Sequence, residues 1–213
     1  MIIRKEISER WLAWGSSPVD WCEENYAVTM NIAEFTNTFS NIFFVLIPAF
    51  CIGTKIWSSF NKHVSFGAFL QFFFLIFIGF ASAYFHATLS LMGQFLDEVG
   101  IIWSVSFGYA SFMPDRMRPK FFHGVWAYVI ATIMAISMTG AWFISPQLNP
   151  FCLMALTVPV IVAQIQELTT YGKKDTYWIS LMALIFTGSA ITAWVADKVM
   201  CGMWKSFRIP GLH

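Results

Sequence analysis

The feature that most constrains this chain is a series of apolar runs, each close to the length that crosses a membrane. Six of them lie at approximately 33–53, 66–86, 95–113, 121–143, 149–168 and 177–196. A bilayer core needs ~20 apolar residues per helix, so each run predicts one spanning helix. Lipid offers no hydrogen bonds to an exposed backbone, and a helix satisfies its own internally. Charged residues make up only 12% of the chain, about half the ~25% of a soluble domain. The expected fold class is all-α, a polytopic membrane helical bundle. A net charge of +1 and the lack of a basic run give no reason to expect a nucleic-acid partner.

Three regions follow from this pattern: a polar N-terminal tail at 1–32, the bundle at 33–196, and a short segment at 197–213. The tail lacks the uninterrupted apolar stretch of a cleavable signal, so the first spanning helix is expected to direct insertion. Loops at about 54–64, 114–120 and 169–176 hold Lys55, Lys62, Arg116, Arg118, Lys120, Lys173 and Lys174, whereas the alternate loops hold no lysine or arginine. The positive-inside rule makes the basic loops cytosolic. The N-terminus is then lumenal or extracellular, although Arg4, Lys5 and Arg10 in the tail pull weakly the other way.

The chemistry gathers where the second run ends. Ser82 and His86 are four residues apart and share one helical face. A short polar link at Ser90–Gln94 leads to Asp97 at the start of the third run. The predicted topology brings this hydroxyl, imidazole and carboxylate to the lumenal face, together with Asp197 and His213. Ionisable groups at membrane depth are costly and mark function by default. A single histidine in a bundle is more often a hydrogen-bonded interior residue than a ligand; the convergence with Asp97, Ser82 and His213 favours a zinc site. Catalytic zinc takes three protein ligands and keeps a position for water. His86 and His213 supply two imidazoles, and the topology puts His63 and His123 on the other side.

Two further features belong to the lumenal side. Asp20-Trp21-Cys22-Glu23-Glu24-Asn25 concentrates carboxylates and an amide, with Glu34 nine residues later. Such oxygen donors suit calcium, but the spacing is not an EF-hand, and on residue types alone a solvated acidic cap explains it. In the first helix Glu34, Asn37, Thr38 and Asn41 form a polar stripe that should face the bundle interior. Cys22 and Cys201 share the compartment that permits disulfides. Their pairing is the expected one, with two free thiols as the alternative.

Taken together, Asp20–Asn25, Ala33-Glu34-Phe35 with Asn37-Thr38 and Ser40-Asn41, Ser82-x-x-x-His86 with Leu96-Asp97-Glu98, and Cys201 and Trp204 before Leu212-His213 resemble the alkaline ceramidases. The resemblance runs from about Ser17 to His213. It implies a seven-helix intramembrane zinc amidase that cleaves ceramide to sphingosine and a fatty acid. His86 and His213 would be zinc ligands, Asp97 would hold and deprotonate the water, and Ser82 would stabilise the tetrahedral intermediate. Asp20, Glu23, Asn25 and Glu34 would give side-chain oxygens to calcium, and Trp21 a backbone carbonyl. The resemblance thus favours calcium over the acidic cap. The substrate would be ceramide within the bilayer of the endoplasmic reticulum, Golgi or plasma membrane.

One departure bears on these expectations. The family pattern continues as His-x-x-x-His into a seventh helix, and this sequence stops on the first of those histidines, so six of the seven helices are expected. Weak or absent activity of this chain is therefore the expectation. Two alternative readings are a non-catalytic truncated form that associates with a full-length copy, and a receptor-like lipid-binding protein.

Overall fold

Phenylalanine, isoleucine and leucine fill the long runs, and helix is the backbone form they take in lipid. The computed structural model describes residues 15–53, 66–145, 148–171 and 177–207. His213, His63, Lys55, Lys62, Lys173 and Lys174 lie outside the described residues. In chain order the helices are α1 (Phe35–Ser40), α2 (Ile42–Gly53), α3 (Phe66–Thr88), α4 (Leu91–Phe112), α5 (Gly124–Ile144), α6 (Asn149–Gln166), α7 (Tyr177–Val199) and α8 (Cys201–Ser206). A 3-10 turn, Asp115–Met117, follows α4, and a π turn, Glu167–Tyr171, continues α6.

Among the described residues five segments are long and apolar enough to cross a membrane: Phe35–Gly53, Phe66–Thr88, Gly124–Ile144, Asn149–Thr170 and Tyr177–Val199. The chain is a multi-pass membrane protein. The remaining predicted span, α4, has 22 residues and is long enough at ~1.5 Å per residue. Gln94, Asp97, Glu98 and several serines dilute its apolar character. Two boundaries differ from the sequence reading. The first predicted helix is interrupted at Asn41. The supposed link Ser90–Gln94 is already helical from Leu91, because the Ser90 hydroxyl accepts the Gly93 N–H at 3.0 Å and caps α4.

The contacts divide the chain into two units, Met1–Asp20 with Glu24–Pro150, and Trp21–Glu23 with Phe151–His213. In the first, α1 and α2 pack on α3, α3 on α4, and α4 on α5. Ala127, Ala131 and Ala135 are fully buried on one face of α5, and the first two join Ala110 of α4 and Phe122 in a core cluster. Small residues let helix backbones approach where lipid supplies no hydrophobic drive to associate. The outside is strongly apolar: Phe43, Phe50, Phe73 and Phe80 are each more than half exposed. Glu34, His86, Gln94 and Ser106 are sealed inside. Patches of this kind on a soluble protein would drive association; here their natural cover is lipid.

The α3–α4 turn is short, only Leu89 and Ser90, with Leu89 in the left-handed region at φ +48°. The N-terminal chain is laid against it on two sides. The Ser17 N–H donates to the Leu89 carbonyl at 3.0 Å, and the Leu91 N–H to the Gly15 carbonyl at 3.3 Å. The Ala33 and Glu34 N–H groups donate to the carbonyls of Ala87 and His86, both at 3.0 Å.

In the second unit α7 contacts the π turn and α8, and the Gln164 amide donates to the Thr187 hydroxyl at 3.3 Å. Gln164 therefore serves helix packing. Cys22 and Cys201 are disulfide-bonded, with Cα atoms 5.2 Å apart. The Cys22 N–H donates to the buried Asp197 carboxylate at 3.2 Å, and the Lys198 ammonium lies 4.4 Å from the Trp21 ring centre.

Candidate active site

The site lies where α3 ends and α4 begins. Ser82 and His86 occupy the last two turns of α3, and Asp97 the second turn of α4. All three are buried, His86 to 1% exposure. Ser82 lies within side-chain hydrogen-bonding reach of the Asp97 carboxylate, and His86 stands near enough to interact with it electrostatically. The three residues that the spacing singled out on α3 and α4 are thus together. The helices meet closely here because α4 carries Gly93: a Cβ at that position would stand 2.7 Å from the Phe85 Cα.

His86 Nδ1 is hydrogen-bonded to Glu34 Oε2. Glu34 is fully buried at the start of α1, and Asn37 donates to the same oxygen at 3.3 Å. A carboxylate on Nδ1 favours one imidazole tautomer, a pairing also common among metal-binding histidines. The sequence places Glu34 in the interior-facing stripe and, by resemblance, among the calcium donors; its contact with His86 is shown by the structure alone. The polar stripe offered the one available signal, because Glu34, Asn37 and Asn41 had to satisfy something inside the bundle.

Of the acidic segment, Asp20 and Asn25 belong to the first unit. The Asn25 amide Nδ2 donates to Asp20 Oδ1 at 3.0 Å, while Asn25 Oδ1 is shielded from solvent and has no hydrogen-bond partner. Trp21 and the buried Glu23 belong to the second unit. Among the described residues no three histidines, cysteines or carboxylates converge closely enough to hold a metal by themselves; His213 is outside them.

A family model described as Ceramidase matches residues 14–211. The chain belongs to the ceramidase family. An alkaline ceramidase of Drosophila melanogaster is 37% identical over 212 residues, covering 95% of this chain and 73% of the relative. Alkaline ceramidase 3 of Mus musculus is 40% identical over 201 residues, covering 92% and 72%. Alkaline ceramidase 1 of the same species is 32% identical over 204, covering 94% and 74%. In this ceramidase the match takes in both site helices and the acidic segment, so the buried Ser82–Asp97–His86 group lies inside the region that carries the family likeness.

Proposed function

We propose that this ceramidase hydrolyses the N-acyl amide of ceramide, releasing sphingosine and a fatty acid, with a zinc ion held by His86 and His213. The observation that carries the reading is the buried Ser82–Asp97–His86 group within a family-matched membrane bundle. The residues present fit zinc: the Glu34 carboxylate on Nδ1 supports His86 as an imidazole ligand, and the Asp97 carboxylate stands near it as a base for the metal's water rather than as a ligand. Zinc, when bound, supplies Lewis-acid polarisation and lowers the pKa of its water towards ~7.

The protein's own groups do the rest. Asp97 takes the proton of the attacking water and returns it to the nitrogen of the departing sphingoid amine, the double use expected of a general acid–base. Ser82 aims that carboxylate while it is ionised; once Asp97 carries the water's proton it can donate to the Ser82 oxygen, which leaves the single hydroxyl hydrogen for the oxygen on which charge develops. Glu34 holds His86 in one tautomer throughout. Burial keeps bulk water away, which strengthens each of these interactions.

Calcium is proposed for the acidic segment, with Asp20, Glu23, Asn25 and Glu34 as side-chain donors and the Trp21 carbonyl as a fifth. The unpartnered Asn25 Oδ1 supports this, since a shielded carbonyl oxygen without a donor suits a hard cation. A lumenal or extracellular site is also proposed. Asp97 sits near the first end of α4, and Arg116, Arg118 and Lys120 follow its last end, so basic loops on the cytosolic face put the site opposite.

The test is sphingosine release from ceramide by the purified chain, with zinc measured per chain. His86→Ala should lose both zinc and turnover, whereas Asp97→Asn should lower kcat by ~10²–10⁴-fold. Full turnover by His86→Ala would refute the assignment of the site.

A further inference from the structure

Beside Asp97 stands a carboxylate that this mechanism does not use. Glu98 is half-buried on the next position of α4, and both of its oxygens are held. The Gln94 amide Nε2 donates to Oε1 at 3.0 Å, and the Trp142 indole Nε1 of α5 donates to Oε2 at 2.7 Å. The chain of contacts runs further. The Ser17 hydroxyl donates to Gln94 Oε1 at 2.9 Å, and Gln94 is fully buried. Trp142 is itself fixed, 5% exposed, with the Phe95 ring edge-on to it at 4.9 Å between centres. The N-terminal segment, α4 and α5 are thereby joined by one line of side-chain hydrogen bonds.

Successive helix residues point ~100° apart, so fixing Glu98 against α5 fixes where Asp97 points. Asp97 faces α3 and reaches Ser82; Glu98 faces α5 and reaches Trp142. A small rotation of α4 about its axis would carry both together. We propose that Glu98 is a positioning residue for the ceramidase reaction, holding α4 in the rotation that presents Asp97 to Ser82 and His86. The inference rests on the role given to Asp97 above. A charge-assisted hydrogen bond on each oxygen makes this a stiffer tie than aliphatic packing, and it lies one position from Asp97. Other polar ties of α4, Trp103 to Thr139 at 3.1 Å and Ser104 to Gln71 at 2.8 Å, lie about two turns further along the helix. In this role Glu98 acts through Asp97 rather than on the reacting amide.

The test compares Glu98→Ala, Glu98→Gln and Trp142→Phe in the full chain, measuring kcat, KM, zinc per chain and melting temperature. A misplacement of ~1 Å costs on the order of 100-fold, so Glu98→Ala should lower kcat at least about tenfold with KM and zinc content unchanged. Glu98→Gln should restore most of it. Its Oε1 still accepts the Trp142 N–H, Gln94 can turn its own oxygen to the new amide, and the Ser17 hydroxyl can accept the displaced Gln94 NH₂. Trp142→Phe, with one of the two ties left, should fall between. Wild-type kcat in Glu98→Ala would overturn the proposal, as would a rise in KM alone. So would equal damage in Glu98→Gln, which would mean that charge, not position, matters. If Glu98→Ala does not fold, a lowered kcat at constant KM in Trp142→Phe, with Glu98→Gln active, supports it; normal kcat in Trp142→Phe refutes it. His86→Ala run in parallel separates the two readings. If that variant is inactive while all Glu98 and Trp142 variants behave as wild type, only the positioning role fails. If it remains active, the site assignment falls and the positioning role with it.

Discussion

Glu34 and His86 are 52 residues apart in the chain, and both are sealed from solvent. Neither could be buried alone at acceptable cost, because an unpaired ionisable group inside a protein is strongly destabilising. Their pairing answers both needs and also holds the imidazole in one orientation, as the proposed zinc ligation requires. Glu34→Gln keeps an oxygen for Nδ1 but removes the charge. A partner of this kind typically carries 10–100-fold in metal affinity, so zinc affinity, read by competition with a chromophoric chelator, should weaken by about that factor. Asp97→Asn should instead leave zinc content nearly unchanged while turnover collapses. The contrast separates a residue that holds a ligand from one that moves a proton.

At the scale of elements, the α3–α4 approach beside the site depends on a missing side chain. Gly93 faces the backbone of Phe85, which has no rotamer by which to retreat. Gly93→Val should therefore push the site helices apart and cost on the order of 1–3 kcal/mol, as overpacking does. Melting temperature and kcat should fall together. Gly140 on α5 makes the control: a Cβ there meets nothing within 4 Å, and Gly140→Ala should leave both unchanged. The turn between these helices is held by the N-terminal chain, through Gly15 and Ser17 on one side and Ala33 and Glu34 on the other. Removing the tail should accordingly disturb His86 before it disturbs the lipid-facing surface.

At the scale of the whole molecule, the Cys22–Cys201 disulfide joins residues 179 apart in sequence. It ties Trp21–Glu23 to the C-terminal helices, assisted by Asp197 and by Lys198 over Trp21. A bond closing so long a loop contributes about 2–5 kcal/mol in the chain-entropy view. Reduction, or Cys201→Ser, should therefore lower the melting temperature, measured by scanning fluorimetry in detergent. An unchanged melting temperature would mean that the other contacts hold the segment unaided.

Much of this architecture was legible in the residues. The helical class and five of the spanning segments follow from apolar length, since lipid leaves the backbone no other way to satisfy itself. Ser82, His86 and Asp97 stood out because polar groups at that depth need a purpose, and the ordered motifs carried the family. Other features were not readable in that way. The helical start at Leu91 depended on a cap by Ser90, a local bond that hydropathy does not register. The break at Asn41 was likewise invisible to it. The Glu34–His86 pair and the Ser17–Gln94–Glu98–Trp142 line depend on how helices rotate and cross, and rotation is set by side chains distant in sequence. Apolar length fixes which segments enter the membrane, because that is a transfer free energy summed along the chain. Which polar groups meet inside is a property of tertiary packing, because a hydrogen bond requires contact to within ~3 Å, and only the folded bundle supplies it.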